Sequence, residues 1–88
     1  MEFEYDPKKS AANRDKHGID FVEAQELWAG AAAGWPLPFA DEQRFLRIGY
    51  LRRTLWVAVY TLRGGRVRLI SVRRARRSEE AEYGRQTG

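Results

Sequence analysis

RFLRIGYLRRTLWVAVYTLRGGRVRLISVRR, residues 44–74, marks a change of period that points to a sheet. Leu46, Ile48 and Tyr50 alternate with Phe45, Arg47 and Gly49, which is the two-residue period of a strand. After a turn near Arg52-Arg53, Thr54 to Leu62 forms a second, strongly apolar strand, and Gly64-Gly65 suits a tight hairpin into a third, Val67 to Val72. Three strands in series predict an antiparallel meander. On the last of them strict alternation puts Arg66, Arg68, Ile70, Val72 and Arg74 on one side and Val67, Leu69, Ser71 and Arg73 on the other. Neither side is purely apolar. The expected sheet therefore buries its middle and projects arginines from its ends over a rim or groove.

Toward the N-terminus, Phe3-Glu4-Tyr5 suits a short strand, and Asp6-Pro7 supplies an N-cap with proline at the first helical position. The helix that follows runs to about His17 and stops at Gly18, with Ile19 free to pack back on its last turn. Only Ala11 and Ala12 give it an apolar face, so it is expected to lie on the surface. Asp20-Phe21-Val22-Glu23 has capping-box spacing, and Phe21, Ala24, Leu27 and Trp28 then predict an amphipathic second helix ending near Gly30. AAAGWPLPFADEQ, residues 31–43, is broken by glycine and proline and reads as a loop or edge segment. Beyond the meander, Ser78 with Glu79 and Glu80 suits the start of a terminal helix, weakened by Gly84. The expected fold is α+β in one domain spanning 1–88: a small antiparallel sheet of the short N-terminal strand plus the meander, with two N-terminal helices and a C-terminal helix on one face.

At 88 residues with 43% hydrophobic and 32% charged positions the chain belongs with ordered globular domains. It has no cysteine, so neither a disulfide framework nor a thiolate metal site is available, and a reducing interior suits it. The start, MEFEYDPKK, lacks a basic segment followed by an apolar run, and no stretch is long and apolar enough to span a membrane; a cytoplasmic location is expected.

The charge is unevenly divided. Residues 1–42 carry four Lys or Arg against nine Asp or Glu, a net of minus 5, whereas residues 43–88 carry twelve against three, a net of plus 9. Every cation after Lys16 is arginine, whose planar fork grips phosphate or carboxylate through paired hydrogen bonds. A polyanionic partner is the natural inference.

One histidine and no cysteine leave too few ligands for a built-in zinc or iron centre, so no metal or other cofactor is expected. Neither Ser71 nor Ser78 sits in a nucleophile elbow, and Gly64-Gly65 lacks the lysine and helix of a phosphate loop. What remains is fixed positive charge plus a few proton carriers. Such a set fits metal-free cleavage of RNA, in which the ribose 2′-hydroxyl attacks its own phosphate and cations stabilise the phosphorane. His17, Lys16, Glu79 and Tyr83 are the candidate carriers, and histidine is the one that titrates near neutrality. Plainer readings stand beside these: His17 and Lys16 can simply favour a helix C-terminus, Glu79 a helix start, Arg73, Arg74, Arg76 and Arg77 a solvated face or a surface for an acidic partner, and Trp28, Trp35 and Trp56 the core or an interface more readily than base stacking.

The pieces Phe3-Glu4-Tyr5-Asp6-Pro7-Lys8, Lys16-His17-Gly18-Ile19 with Phe21, Glu23 and Ala24, EQRFLRIG at 42–49, and Arg68 to Ala75 with Glu79 and Tyr83 occur in an order that resembles the BrnT family of bacterial toxins, in the RelE-like ribonuclease superfamily. The resemblance covers nearly the whole chain. It implies a compact RelE-like toxin that cleaves RNA or blocks translation, neutralised by a small BrnA-like antitoxin with which it forms a heterotetramer and which alone contacts operator DNA. The matched candidate catalytic positions are Lys16, His17, Arg68, Arg73, Glu79 and Tyr83; Arg66, Arg74, Arg76 and Arg77 are expected to bind RNA, the last two without family support. Ala31 to Phe39 departs from the family, which usually has a more polar, acidic loop there.

Two other classes fit the same residues. A non-catalytic nucleic-acid-binding or regulatory module would bind RNA with steep salt dependence and no product. A surface for an acidic protein segment would mimic phosphate binding.

Overall fold

The computed structural model describes residues 1–38 and 41–88; the expected 31–43 connection includes Phe39 and Ala40, which lie outside the described residues. The meander forms as its alternation requires, with β3 at Arg44–Leu51, β4 at Thr54–Arg63 and β5 at Arg66–Arg74. β1 is Phe3–Glu4, and a further strand, β2, spans Ala33–Leu37. The sheet order is β1-β5-β4-β3-β2.

Two features of the sheet depart from the sequence expectation. Among the described residues it has five strands and not four, because part of the 31–43 segment becomes the edge strand β2, antiparallel to β3. It is mixed and not antiparallel, because β1 pairs with β5 in parallel, Phe3 beside Val67 and Glu4 beside Arg68. Glycine and proline are at home in β2 because it is an edge. The Gly34 N–H points outward to the Gln86 side chain at 2.9 Å, and Pro36, with the same outward orientation, has no N–H to leave unpaired. A Cβ on Gly34 would run into the Leu46 carbonyl oxygen, so the close approach of β2 to β3 requires glycine.

β5 departs from strict alternation. Val59 pairs with Ser71 but Tyr60 pairs with Leu69, so Ile70 is the extra residue of a β-bulge. Past the bulge the phase reverses. Val67, Leu69, Val72 and Arg74 share one face through their partners Leu62, Tyr60, Ala58 and Trp56, while Arg66, Arg68, Ser71 and Arg73 share the other with Arg63, Thr61, Val59 and Val57.

α1 is Pro7–His17, capped by the Asp6 carboxylate on the Lys8 N–H at 2.8 Å and closed by Gly18 at φ 82°. It is anchored by polar groups. Ser10 and Asn13 are its buried residues, and the Asn13 amide bonds both the N–H and the C=O of Val72, at 3.1 and 2.9 Å, and the Ile19 carbonyl at 2.8 Å. One side chain thus continues the pairing of the β5 edge where β1 ends.

The expected capping box forms, with Asp20 accepting from the Glu23 N–H at 2.8 Å and Glu23 accepting from the Asp20 N–H at 3.2 Å. The helix it opens is a single 3-10 segment, Glu23–Trp28, and not an amphipathic α-helix. Phe21, Ala24 and Leu27 recur every third residue, which three residues per turn align into one buried row. They join Ile19, Trp56, Ala58, Leu69 and Val72 in the core of the α1 face.

α2 spans Arg77–Thr87, starting one residue before Ser78 and running through Gly84. It packs against β2 and β3 on the opposite face from α1, so the helices occupy both faces and not one. Ala33, Leu46, Ile48, Leu55 and Val57 form the second core there, with Ala75 and Tyr83 packed on it. No helix among the described residues is long and apolar enough to cross a membrane.

The β3–β4 turn places two arginines in the left-handed region, Arg52 at φ 50° and Arg53 at φ 68°. Arg52 is tied to Glu23 and Glu26, whereas Arg53 is exposed. A type I′ turn favours glycine at its second position, and a non-glycine residue there costs about 1 kcal/mol. Arg53→Gly is therefore expected to raise Tm by roughly 4–8 °C in calorimetry; a lower Tm counts against a strained turn.

Candidate nucleic-acid interface and catalytic site

The cross-strand register lays out the α2 face in rows. Ala33, Ile48, Val57 and Arg73 form one row at the α2 end; Trp35, Leu46, Val59 and Ser71 form the next; Leu37, Arg44, Thr61 and Arg68 form the third. α2 covers the first row, and the third carries arginines. The incompletely buried middle row between them outlines a shallow groove, about 13 Å from the first row to the third and roughly 14 Å across four strands. Val59 and Ser71 are only half-buried on its floor.

Arg73 and Glu79 meet at the α2 wall. The guanidinium donates two parallel hydrogen bonds to the carboxylate, Nη1 to Oε1 at 2.9 Å and Nη2 to Oε2 at 2.8 Å, and Nη1 also reaches the Arg74 carbonyl at 3.1 Å. Glu79 Oε1 accepts as well from the Arg76 N–H at 2.8 Å, so the same carboxylate caps α2. The Glu79 side chain is 9% exposed and that of Arg73 26%. Hydrogen bonding from Arg73, aided by the Arg76 N–H and opposed by burial, holds the Glu79 carboxyl below the usual carboxylate range; the same pair raises Arg73. Glu79 is thus an ionised anchor with both oxygens engaged.

Arg68 projects over the far side of the groove on the same face, 3.7 Å from Glu4. Its neighbour Arg66 pairs with Glu2 at 3.0 Å, and Arg63 with Glu42 at 3.4 Å. Several groove-side guanidiniums therefore already hold a carboxylate, the group most like a phosphate in shape and charge. Arg74 lies on the other face, over the Trp56 ring at 5.7 Å. Arg76 and Arg77 are exposed at the start of α2, and among the described residues neither pairs with a carboxylate. Tyr83 packs beneath α2, edge-on to Tyr50 at 5.4 Å. Lys16 is exposed and His17 half-buried at the end of α1, across the sheet from Arg73 and Glu79.

The structure thus brings Arg66, Arg68, Arg73 and Glu79 to one face, adds Arg76 and Arg77 at its rim, and separates Lys16, His17 and Arg74 from them. Arg44, Ser71 and Trp35 also line the groove, although none is among the site residues expected from the sequence. Only register reveals them, since Arg44 and Arg68 flank Thr61 across two strand pairs. Among the described residues no three or more His, Cys, Asp or Glu side chains gather as a metal-holding group.

No curated protein matches the chain. The sequence model of one family, described as the ribonuclease toxin, BrnT, of type II toxin-antitoxin system, matches residues 5–79, a span that takes in α1, the whole sheet beyond β1 and the Arg73–Glu79 pair. With most of its length matched, the chain belongs to the BrnT family of ribonuclease toxins of type II toxin-antitoxin systems.

Proposed function

We propose that the chain is a metal-independent endoribonuclease of the RelE-like superfamily whose RNA lies in the groove on the α2 face. The observation that carries this reading is the pairing of Arg73, fixed by Glu79, with Arg68 on the other side of the same groove. Arg73 and Arg68 bind the scissile phosphate, and Arg76 and Arg77 hold the flanking backbone. The 2′-hydroxyl gives its proton to solvent as it attacks the phosphorus, the P–O5′ bond breaks to leave a 2′,3′-cyclic phosphate, the departing 5′-oxygen takes a proton from water, and the two guanidiniums stabilise the charge that builds on the phosphorane. Glu79 acts by orienting Arg73; a carboxylate with both oxygens engaged and a lowered pKa is a poor base. Tyr83 holds α2 on the sheet, and Lys16 and His17 lie away from the reacting atoms.

Neutralisation follows from the same charges. A BrnA-like antitoxin presents an acidic segment to the arginines, displacing Glu2 and Glu4 as they would be displaced by phosphate, in a heterotetramer whose antitoxin chains alone contact operator DNA. Free toxin cleaves cytoplasmic RNA and so inhibits translation.

The test is cleavage of RNA by the purified chain, freed of antitoxin, in excess EDTA. Product is expected without added metal, and His17→Ala is expected to retain cleavage within about threefold, against the 100-fold or greater loss typical of a proton-transfer residue. Intact RNA with folded protein, whether RNA is free or on translating ribosomes, rejects the reading; saturable, salt-sensitive binding without product would favour a binding module instead.

A further inference from the structure

A cleft of about 450 Å³ opens where α2 meets β2, lined by Trp35, Ser78, Glu79, Glu82 and Gln86. It shares Glu79 with the Arg73 pair, and Trp35 belongs to the groove floor. Its size lies within the range of small-molecule sites, and it combines one aromatic wall with a few convergent polar groups.

The three tryptophans differ in what their rings face. Trp28 is edge-on to Phe3 and Tyr60 and lies under Arg47, and Trp56 is buried beneath Arg74. Among the described residues Trp35 has neither a ring nor a cation stacked on it, and it is only half-buried. A flat, polarizable group could stack there.

The polar side of the cleft has a fixed direction. The Gln86 side-chain oxygen accepts from the Gly34 N–H at 2.9 Å, so its amino group faces the other way and donates to Glu82 Oε2 at 2.9 Å. That amino group keeps a second N–H. Glu82 Oε1 accepts from Arg85, and each carboxylate oxygen keeps a further lone pair. Side by side these groups present a donor, an acceptor and an acceptor. The Watson–Crick edge of guanine presents the complement: the O6 acceptor, then the N1–H and N2–H donors. Uracil presents an acceptor on either side of one donor, and adenine a donor beside an acceptor.

We infer that the Trp35–Glu82–Gln86 cleft is a guanine-binding subsite, in which the base stacks on Trp35, donates N1–H and N2–H to Glu82 and accepts at O6 from Gln86. The subsite presupposes that the groove takes RNA, and it sets the base next to the phosphate held by Arg73.

The test is fluorescence-polarisation binding of 2′-O-methyl oligouridine carrying a single guanosine, inosine or no purine, since these oligomers cannot be cleaved. Guanosine is expected to tighten binding by about tenfold or more, the size of one bidentate side chain–base contact, and inosine, which lacks the 2-amino group, by less. Glu82→Gln is expected to erase the guanosine preference and leave oligouridine affinity unchanged. Trp35→Ala weakens the guanosine oligomer and Trp35→Phe, which keeps a ring on β2, largely restores it. Equal affinity for all three oligomers, or a guanosine preference that survives Glu82→Gln, overturns the subsite. The same protein assayed on cleavable RNA separates the two ideas. Cleavage with no base preference in binding removes the subsite and keeps the ribonuclease; guanosine preference without cleavage removes the ribonuclease and keeps the subsite.

Discussion

Arg73→Ala is expected to lower RNA cleavage by roughly 100- to 1,000-fold, the loss that follows removal of one preorganised donor to a developing charge. The same substitution leaves Glu79, 9% exposed, with one hydrogen bond, from the Arg76 N–H. Removing one partner of a fully buried pair costs about 3–5 kcal/mol. Arg73 is 26% exposed, so water reaches the pair, and a cost of about 2 kcal/mol is expected here. Arg73→Lys separates the two effects. It keeps a cation beside Glu79 but not the two parallel hydrogen bonds, so stability recovers more than activity. Activity of Arg73→Ala within a few-fold of wild type, on free or ribosomal RNA, would remove Arg73 from the reaction.

The pair also fixes the sign of an acid effect. Arg73 lowers the Glu79 carboxyl in the folded protein, so the pair's contribution is fully present above the ordinary carboxylate pKa of about 4.3 and is lost as pH falls through the lowered folded value. Wild type should lose more Tm between pH 7 and pH 3 than Glu79→Gln does.

The second large effect belongs to Asn13. Asn13→Asp preserves shape but replaces two donated hydrogen bonds, to Val72 and Ile19, with a carboxylate facing their carbonyl oxygens. Asn13→Ala leaves the Val72 N–H and both carbonyls unpaired. A buried group without its partner costs about 1–3 kcal/mol, so either variant is expected to lose about 3 kcal/mol, roughly 12–24 °C in Tm by circular dichroism. Ser10→Ala removes a single bond to the Phe21 N–H and is expected to cost about 1 kcal/mol. Wild-type Tm in Asn13→Asp would mean that α1 is held by something other than this amide.

The importance of Asn13 explains why α1 was only half legible. Its start and stop are written in Asp6-Pro7 and Gly18, and the structure follows them. Its docking is not, because a helix with so few apolar residues announces no buried face, and an asparagine signals a β-edge contact only once Val72 is known to be beside it. The second helix shows the converse. Its capping box and its three-residue apolar spacing are plain in the chain, and the six residues Glu23–Trp28 wind as a 3-10 helix, whose three residues per turn align that spacing into one row.

The meander, the caps of α1 and of the 3-10 segment, the separation of negative from positive halves and the family were legible in the chain alone. Each rests on signals within a few residues of one another or on composition. Which arginines share a face follows only from strand pairing. Arg68 and Arg73 are five residues apart, an odd number, and straight alternation sends them to opposite faces; the bulge at Ile70 returns them to the same one. A bulge sets two residues of one strand against one of its partner, so its position depends on β4 as much as on β5. For the same reason Arg44, Trp35 and Glu82, far apart in the chain, become neighbours of one groove only after strands pair and α2 crosses the sheet.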